Sequence, residues 1–200
     1  MKLMYSPTSP YARKVRALLI EKQIPDVELL VVNPLGETGA LQQHNPLGKV
    51  PTLLLDDAGV IVDSPVICEY LDQLDSDAAA LLPADTVARF GALTRQALAD
   101  GIMDAAFALV MEARRPPQLR SEEWIARWQA AIGRTLDHFE GLPRPATRFD
   151  LGDLALAVAL GYLDFRLPHL AWRTGRDQLG QWNSTVSIRP ALAQTAPPQA

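Results

Sequence analysis

The sequence changes character near residue 75. Before that point, short extended runs alternate with helical patterns; beyond it no stretch reads as a strand. Such a chain is predicted to fold as a small mixed α/β unit followed by an all-helical one. Residues 2–5 are a strand, stopped by Ser6-Pro7. Residues 11–22 follow as a helix, with Val15, Leu18, Leu19 and Lys22 at i, i+3, i+4 and i+7 and the Lys22 stem snorkelling outward. Ile24-Pro25 ends it, because the residue before proline avoids the α region. Residues 27–32, VELLVV, form a second strand. Residues 52–55 and 60–62 flank Asp56-Asp57-Ala58-Gly59 as a hairpin. Ser64 as N-cap and Pro65 at N1 then open a helix with Ile67, Leu71 and Leu74 on its inner face and Cys68 as a small core residue. A βαβ unit followed by ββα gives a small mixed sheet with helices packed on it.

Residues 75–83, acidic and rich in small side chains, read as the connector. The predicted domains are therefore residues 1–76 and 84–200. In the second, residues 86–111 form a long apolar helix broken by Arg114-Arg115-Pro116-Pro117. Ser121 caps the next, whose stripe of Trp124, Ile125, Trp128, Ala131, Ile132, Leu136 and Phe139 is expected in the core. Gly141-Leu142-Pro143 stops it. Asp150-Leu151-Gly152-Asp153 starts a third helix, apolar nearly all round from Leu154 to Leu163, expected at the centre of a bundle. Residues 195–200 are expected to fray.

Composition excludes several functions. Net charge is −4, from 19 Lys+Arg against 23 Asp+Glu, and 48% of residues are hydrophobic. Disorder throughout is excluded, and so is nucleic-acid binding driven by bulk charge. A single cysteine precludes an internal disulfide, and His44, His138 and His169 lie too far apart for a zinc site, so no metal is expected. The N-terminus does not read as a signal peptide. The apolar run 154–163 is shorter than the roughly 18 residues that read as membrane-spanning. A cytoplasmic protein without membrane or nucleic-acid partners is the expectation.

Three segments carry chemistry. Ser9 stands where a strand ends and a helix begins, with Pro10 at N1. Its hydroxyl is either a simple N-cap or part of an anion site at the positive helix end, and both hold if the anion is a ligand thiolate. In Asn45-Pro46-Leu47-Gly48-Lys49-Val50-Pro51, the proline ahead of a strand favours a sharp turn. A cis bond there turns the Val50 backbone outward to pair with a peptide-like ligand. Asp63-Ser64 at a helix N-terminus is either plain capping or a pair that binds an α-amino and an α-carboxylate group together.

In this order the segments resemble those of the cytosolic glutathione S-transferase family, and the resemblance covers essentially the whole chain. Ser9-Pro10-Tyr11-Ala12-Arg13-Lys14 looks like the opening of the family's first helix, a Cys or Ser followed by Pro and an aromatic. Residues 45–51 are similar to its Asn-Pro-x-Gly-x-Val-Pro segment, which implies a cis proline at Pro51. Asp63-Ser64 matches the acid–Ser pair that grips the γ-glutamyl end of glutathione. Asp150-x-x-Asp153 resembles the capping box of its central helix, with Asp in place of the usual Ser or Thr.

The resemblance implies a thioredoxin-like N-terminal domain, an all-helical C-terminal domain, a homodimer and glutathione as co-substrate. Val50 and Pro51 would pair with the cysteinyl backbone, Asp63 and Ser64 hold the γ-glutamyl group, and Ser9 face the thiol, with Ser6, Thr8 and the weaker Tyr5 as rivals. Asn33 is aligned near the glycine end, and Lys49 is either solvated or steers a carboxylate. Serine at position 9 cannot form a mixed disulfide, which favours conjugation or peroxide chemistry over thiol–disulfide exchange. An apolar electrophile is expected on the face of the long helix carrying Arg95, Asp100, Met103, Asp104 and Phe107, with Met103 and Phe107 as its contacts. The alternative reading is a non-catalytic glutathione S-transferase-like module that docks a protein partner.

Overall fold

The computed structural model describes residues 1–36, 39–74, 78–143 and 149–198. By its internal contacts the chain divides into two units, residues 1–84 with 190–200, and residues 85–189. Residues 75–77, and with them the predicted boundary at 76, lie outside the described residues, as do residues 199 and 200 of the tail.

The first unit is built on a four-stranded sheet of β1 (Lys2–Tyr5), β2 (Glu28–Val31), β3 (Thr52–Leu54) and β4 (Val60–Ile61), in the order β2-β1-β3-β4. β1 and β2 are parallel, whereas β1–β3 and β3–β4 are antiparallel. A parallel pair needs a crossover, and α1 (Pro10–Glu21) supplies it. Alternation along β1 sends Leu3 and Met4 to opposite faces. The Leu3 side joins Val15, Leu18, Leu53, Ile67 and Leu71, all fully buried, under α1 and α3 (Ser64–Gln73). Cys68 is buried there too. Met4 meets a separate cluster with Leu41, Val50, Leu30, Val32 and Leu54. Leu41 comes from α2 (Gly39–Gln42), a single turn that periodicity over so few residues does not reveal.

Lys22 departs from expectation. Its ammonium does not snorkel but is buried, donating to Asp72 O at 3.1 Å beside Asp72 Oδ1 at 3.9 Å. The Asp72 carboxylate also accepts from Leu81 N and Leu82 N at 2.7 and 2.8 Å. Burying this ammonium is tolerable because an anion and a carbonyl face it.

The second unit holds α4 (Thr86–Ala113), α5 (Glu122–Glu140), α6 (Leu151–Arg166) and α7 (Asp177–Val186). α6 is buried along almost its whole length and packs chiefly on α4. Its start is held by a reciprocal capping box between Asp150 and Asp153, with Arg95 of α4 on Asp150 at 2.5 Å. Gly152 is required there, since a Cβ would lie 2.7 Å from Ala92 O. Ser121 caps α5 as predicted, accepting from Trp124 N. The aromatic stripe is a correction: Trp124 is 50% exposed and stacks on half-buried Trp128 at 5.6 Å, while the buried positions are Ile132, Leu136 and Phe139. α7 begins without a side-chain cap of its own, and Glu140 substitutes by accepting from Gln178 N and Leu179 N at 3.1 and 2.7 Å.

The predicted C-terminal domain reached to residue 200. In the structure the final helix, α8 (Pro190–Gln194), packs instead on α1 within the first unit.

Candidate functional site

Sheet register brings the three predicted segments to one place. Met4 pairs with Thr52, so the chain leaving β1 toward Ser9 emerges beside the residues that precede β3, Val50 and Pro51. Ile61 pairs with Leu53, so the two residues after β4 lead back along β3 to Asp63 and Ser64. Tyr5 pairs in parallel with Val31, so Asn33 leaves β2 at the same end. Ser9, Asn33, Lys49, Val50, Pro51, Asp63 and Ser64 thus gather at one end of the sheet.

Local chemistry shapes each segment. Ser9 is the N-cap of α1: its Oγ accepts from Ala12 N at 3.2 Å, leaving its own proton to donate. Ser6 and Thr8 face one another, Oγ to Oγ1, at 3.3 Å, and Ser6 O accepts from Ser9 N. Tyr5 ends β1 with the Arg16 guanidinium 4.7 Å over its ring.

Asn45 is the organiser of the second segment, a role that reading the motif as a whole had not assigned. It is buried, and its Nδ2 donates to Lys49 O and Thr52 Oγ1 while its Oδ1 accepts from Leu47 N. Gly48 N closes the turn on Asn45 O, and the turn needs glycine because φ is +60° at Gly48. The Val50–Pro51 peptide bond is cis. Val50 stands ahead of the ladder, which begins at Thr52, and its side chain is anchored by Met4 and Leu41. Its backbone is therefore held in place without belonging to a strand. Lys49 is exposed.

At the third segment the cap is Asp63 rather than Ser64, because Asp63 takes the extended conformation that a cap requires and its Oδ1 accepts from Ser64 N. Asp63 is exposed, whereas Ser64 is 1% exposed and its Oγ has no partner among the described residues. A buried hydroxyl left unpaired is costly. At a helix N-terminus it is also a donor in a place where negative charge is favoured. Asn33 makes a local turn, its Oδ1 accepting from Leu35 N.

The predicted electrophile residues lie in the second unit. Met103 has no exposed surface, so it takes part in the interior rather than offering a ligand contact; Phe107 keeps 40% exposure. Arg95 serves the capping box. No group of acidic, His and Cys side chains among the described residues is arranged to hold a metal, and no helix of theirs is long and apolar enough to cross a membrane.

The chain as a whole is similar to known proteins. The glutathione S-transferase N-terminal domain family matches residues 8–74, and the C-terminal domain family matches residues 122–182. An uncharacterized GST-like protein of Escherichia coli K12, YibF, is 38% identical over 204 residues, covering 100% of both chains. A glutathione transferase family member from Pseudomonas fluorescens Pf-5, solved with bound glutathione, is 43% identical over 99% of each chain, with a TM-score of 0.94. A glutathione S-transferase of Methylobacillus flagellatus KT, solved with glutathione, is 38% identical, covers 98% of this chain and 99% of its own, and has a TM-score of 0.92. The chain belongs to the glutathione S-transferase family, with a thioredoxin-like N-terminal domain and a helical C-terminal domain.

Proposed function

We propose that the chain is a glutathione transferase that binds glutathione at this end of the sheet and activates its thiol for attack on an apolar electrophile or a peroxide. The single observation behind the reading is Ser64: a buried hydroxyl at the start of α3, without a partner among the described residues, beside the Asp63 carboxylate. An α-carboxylate fits the hydroxyl and helix end, and an α-ammonium fits the acid. The cysteinyl backbone pairs with Val50 as an added strand. Lys49 and Asn33 are then at hand for the glycine carboxylate.

With that placement the sulfur lies near Ser9. A free thiol has a pKa of about 8.5, so little is ionised at pH 7. A hydrogen bond from the Ser9 hydroxyl and the positive end of α1 lower it by about 1–2 units, equivalent to about 1.4–2.7 kcal/mol favouring the thiolate. The thiolate attacks the electrophilic carbon of the co-substrate, forming a carbon–sulfur bond as the leaving group departs or as a proton is taken up. Phe107 is the contact we assign to an apolar co-substrate. Related proteins bind glutathione and, in another Pseudomonas fluorescens Pf-5 structure, S-(propanoic acid)-glutathione, which supports a site able to accommodate an S-substituent. A cytoplasmic homodimer completes the proposal.

Calorimetric titration with glutathione tests it, coupled to conjugation and peroxide-reduction assays. Heat at sub-millimolar ligand with turnover in either assay is expected. No heat at millimolar glutathione overturns the reading, and binding without turnover of any electrophile favours a protein-docking module instead.

A further inference from the structure

Four residues beyond Ser9, α1 carries a side chain that glutathione binding leaves unused. The Arg13 backbone N donates to Ser9 O at 3.0 Å, closing the first turn of α1. Its Nη2 donates to Leu192 O of α8, also at 3.0 Å. Among the described residues the Nε of Arg13 is buried without a partner, as is the Nε of Arg16 one turn on. Burial, and then the neighbouring Arg16 charge, push the Arg13 guanidinium down to about 10. An arginine on a helix surface ordinarily keeps its head in water. Here it is drawn inward to meet a carbonyl 179 residues away.

α8 needs that contact. Five residues are too few for a helix to stand alone. Ala191 and Leu192 are 1% and 2% exposed, and Thr195 Oγ1 closes on Ala191 O at 2.7 Å. The carbonyl that Arg13 grips is thus presented by a docked segment, and the grip falls on the same turn that Ser9 caps.

We propose that Arg13 is a positioning residue: by tying Leu192 O to the first turn of α1, it makes the C-terminal helix part of the frame that holds Ser9. The functional half of this inference rests on the glutathione reading, while the coupling of α8 to α1 does not. Two full-length variants approach it from either side, Arg13→Met and Leu192→Ala, with Arg13→Lys as the conservative control. The amides of Ala12 and Arg13, bonded to Ser9 Oγ and Ser9 O, report the turn directly by hydrogen exchange. Ultraviolet titration of the bound thiolate reports its consequence.

Exchange of these two amides is expected to quicken about tenfold or more in Arg13→Met and in Leu192→Ala. The bound thiol pKa should rise by about half a unit or more, with kcat falling more than KM changes. Arg13→Lys should recover most of both, and the double variant should be no worse than the more severe single one. Unchanged exchange, additive single effects, or an unmoved thiol pKa in a variant that still binds glutathione overturns the proposal. Wild-type protein that takes up no glutathione overturns the glutathione reading instead, and the exchange rates and the double variant then decide the coupling alone.

Discussion

Two serines show how similar residues take different parts. Ser64 has a buried hydroxyl with no partner among the described residues, so Ser64→Ala should leave the fold unharmed or raise the Tm slightly. Glutathione affinity in the same variant should fall about tenfold, the loss of roughly 1.4 kcal/mol for one hydrogen bond to a charged group. Paired thermal melts and calorimetric titrations check this; a lowered Tm with intact affinity refutes it. Ser9 differs because its hydroxyl caps α1. Ser9→Ala should cost about 1 kcal/mol of stability and slow conjugation while hardly changing glutathione affinity. Both serines stood out in the sequence, since each sits beside a proline at a strand-to-helix transition. Which one was unpaired did not, because a hydroxyl's partners depend on segments far along the chain. Asn45 was within a recognised motif, yet its bond to Lys49 O becomes meaningful only when that carbonyl and Thr52 are in place.

Helices and their ends were the most legible level. Pro10, Ser121 and Asp150-x-x-Asp153 mark their helices by local stereochemistry, and the structure places those caps where the residues implied. The start of α6 shows how much one junction carries. Asp150→Ala removes a cap and leaves Arg95 facing a half-buried gap, at a cost of about 2–4 kcal/mol. Gly152→Ala should be destabilising by about 1–3 kcal/mol despite better helix propensity, because its methyl meets the α4 backbone. Denaturant unfolding followed by circular dichroism measures both, and a neutral Gly152→Ala would refute the close approach of α4 and α6. At the other end of α4, the Ser121 N–H chiefly, with Arg115, holds the Glu112 carboxyl below its usual range, although burial acts the opposite way. A depressed folded-state pKa means that this stabilisation is complete above the unfolded value of 4.5 and is lost as pH falls through the folded one. Glu112→Gln should therefore flatten the acid limb of the stability profile, and an unchanged limb would exclude Glu112 as a contributor. The Trp124/Trp128 pair lies outside the core for a related reason: helical spacing says which residues share a face, not what covers that face.

At the scale of the molecule, a few long-range contacts hold the first unit together. Asp72 gathers Lys22, Leu81 and Leu82, so Asp72→Ala strands buried donors and should cost about 3 kcal/mol, more than Lys22→Met, which leaves those amides bonded. Equal losses in the two variants would refute that asymmetry. If the chain pairs as proposed, sedimentation will give twice 21.9 kDa, and a monomer at micromolar concentration removes the dimer from the proposal. By itself the sequence determined the two classes of unit, the four strands and five of the eight α-helices among the described residues, and the segments that carry chemistry. Proline, glycine, capping residues and apolar period act through neighbours a few positions away. Only the tertiary structure decided that Ser9, Val50 and Ser64 meet at one sheet end, that Lys22 is buried, that Met103 is closed off and that residues 190–194 belong with α1. Those outcomes follow from register and docking between distant segments, whose partners no local pattern names.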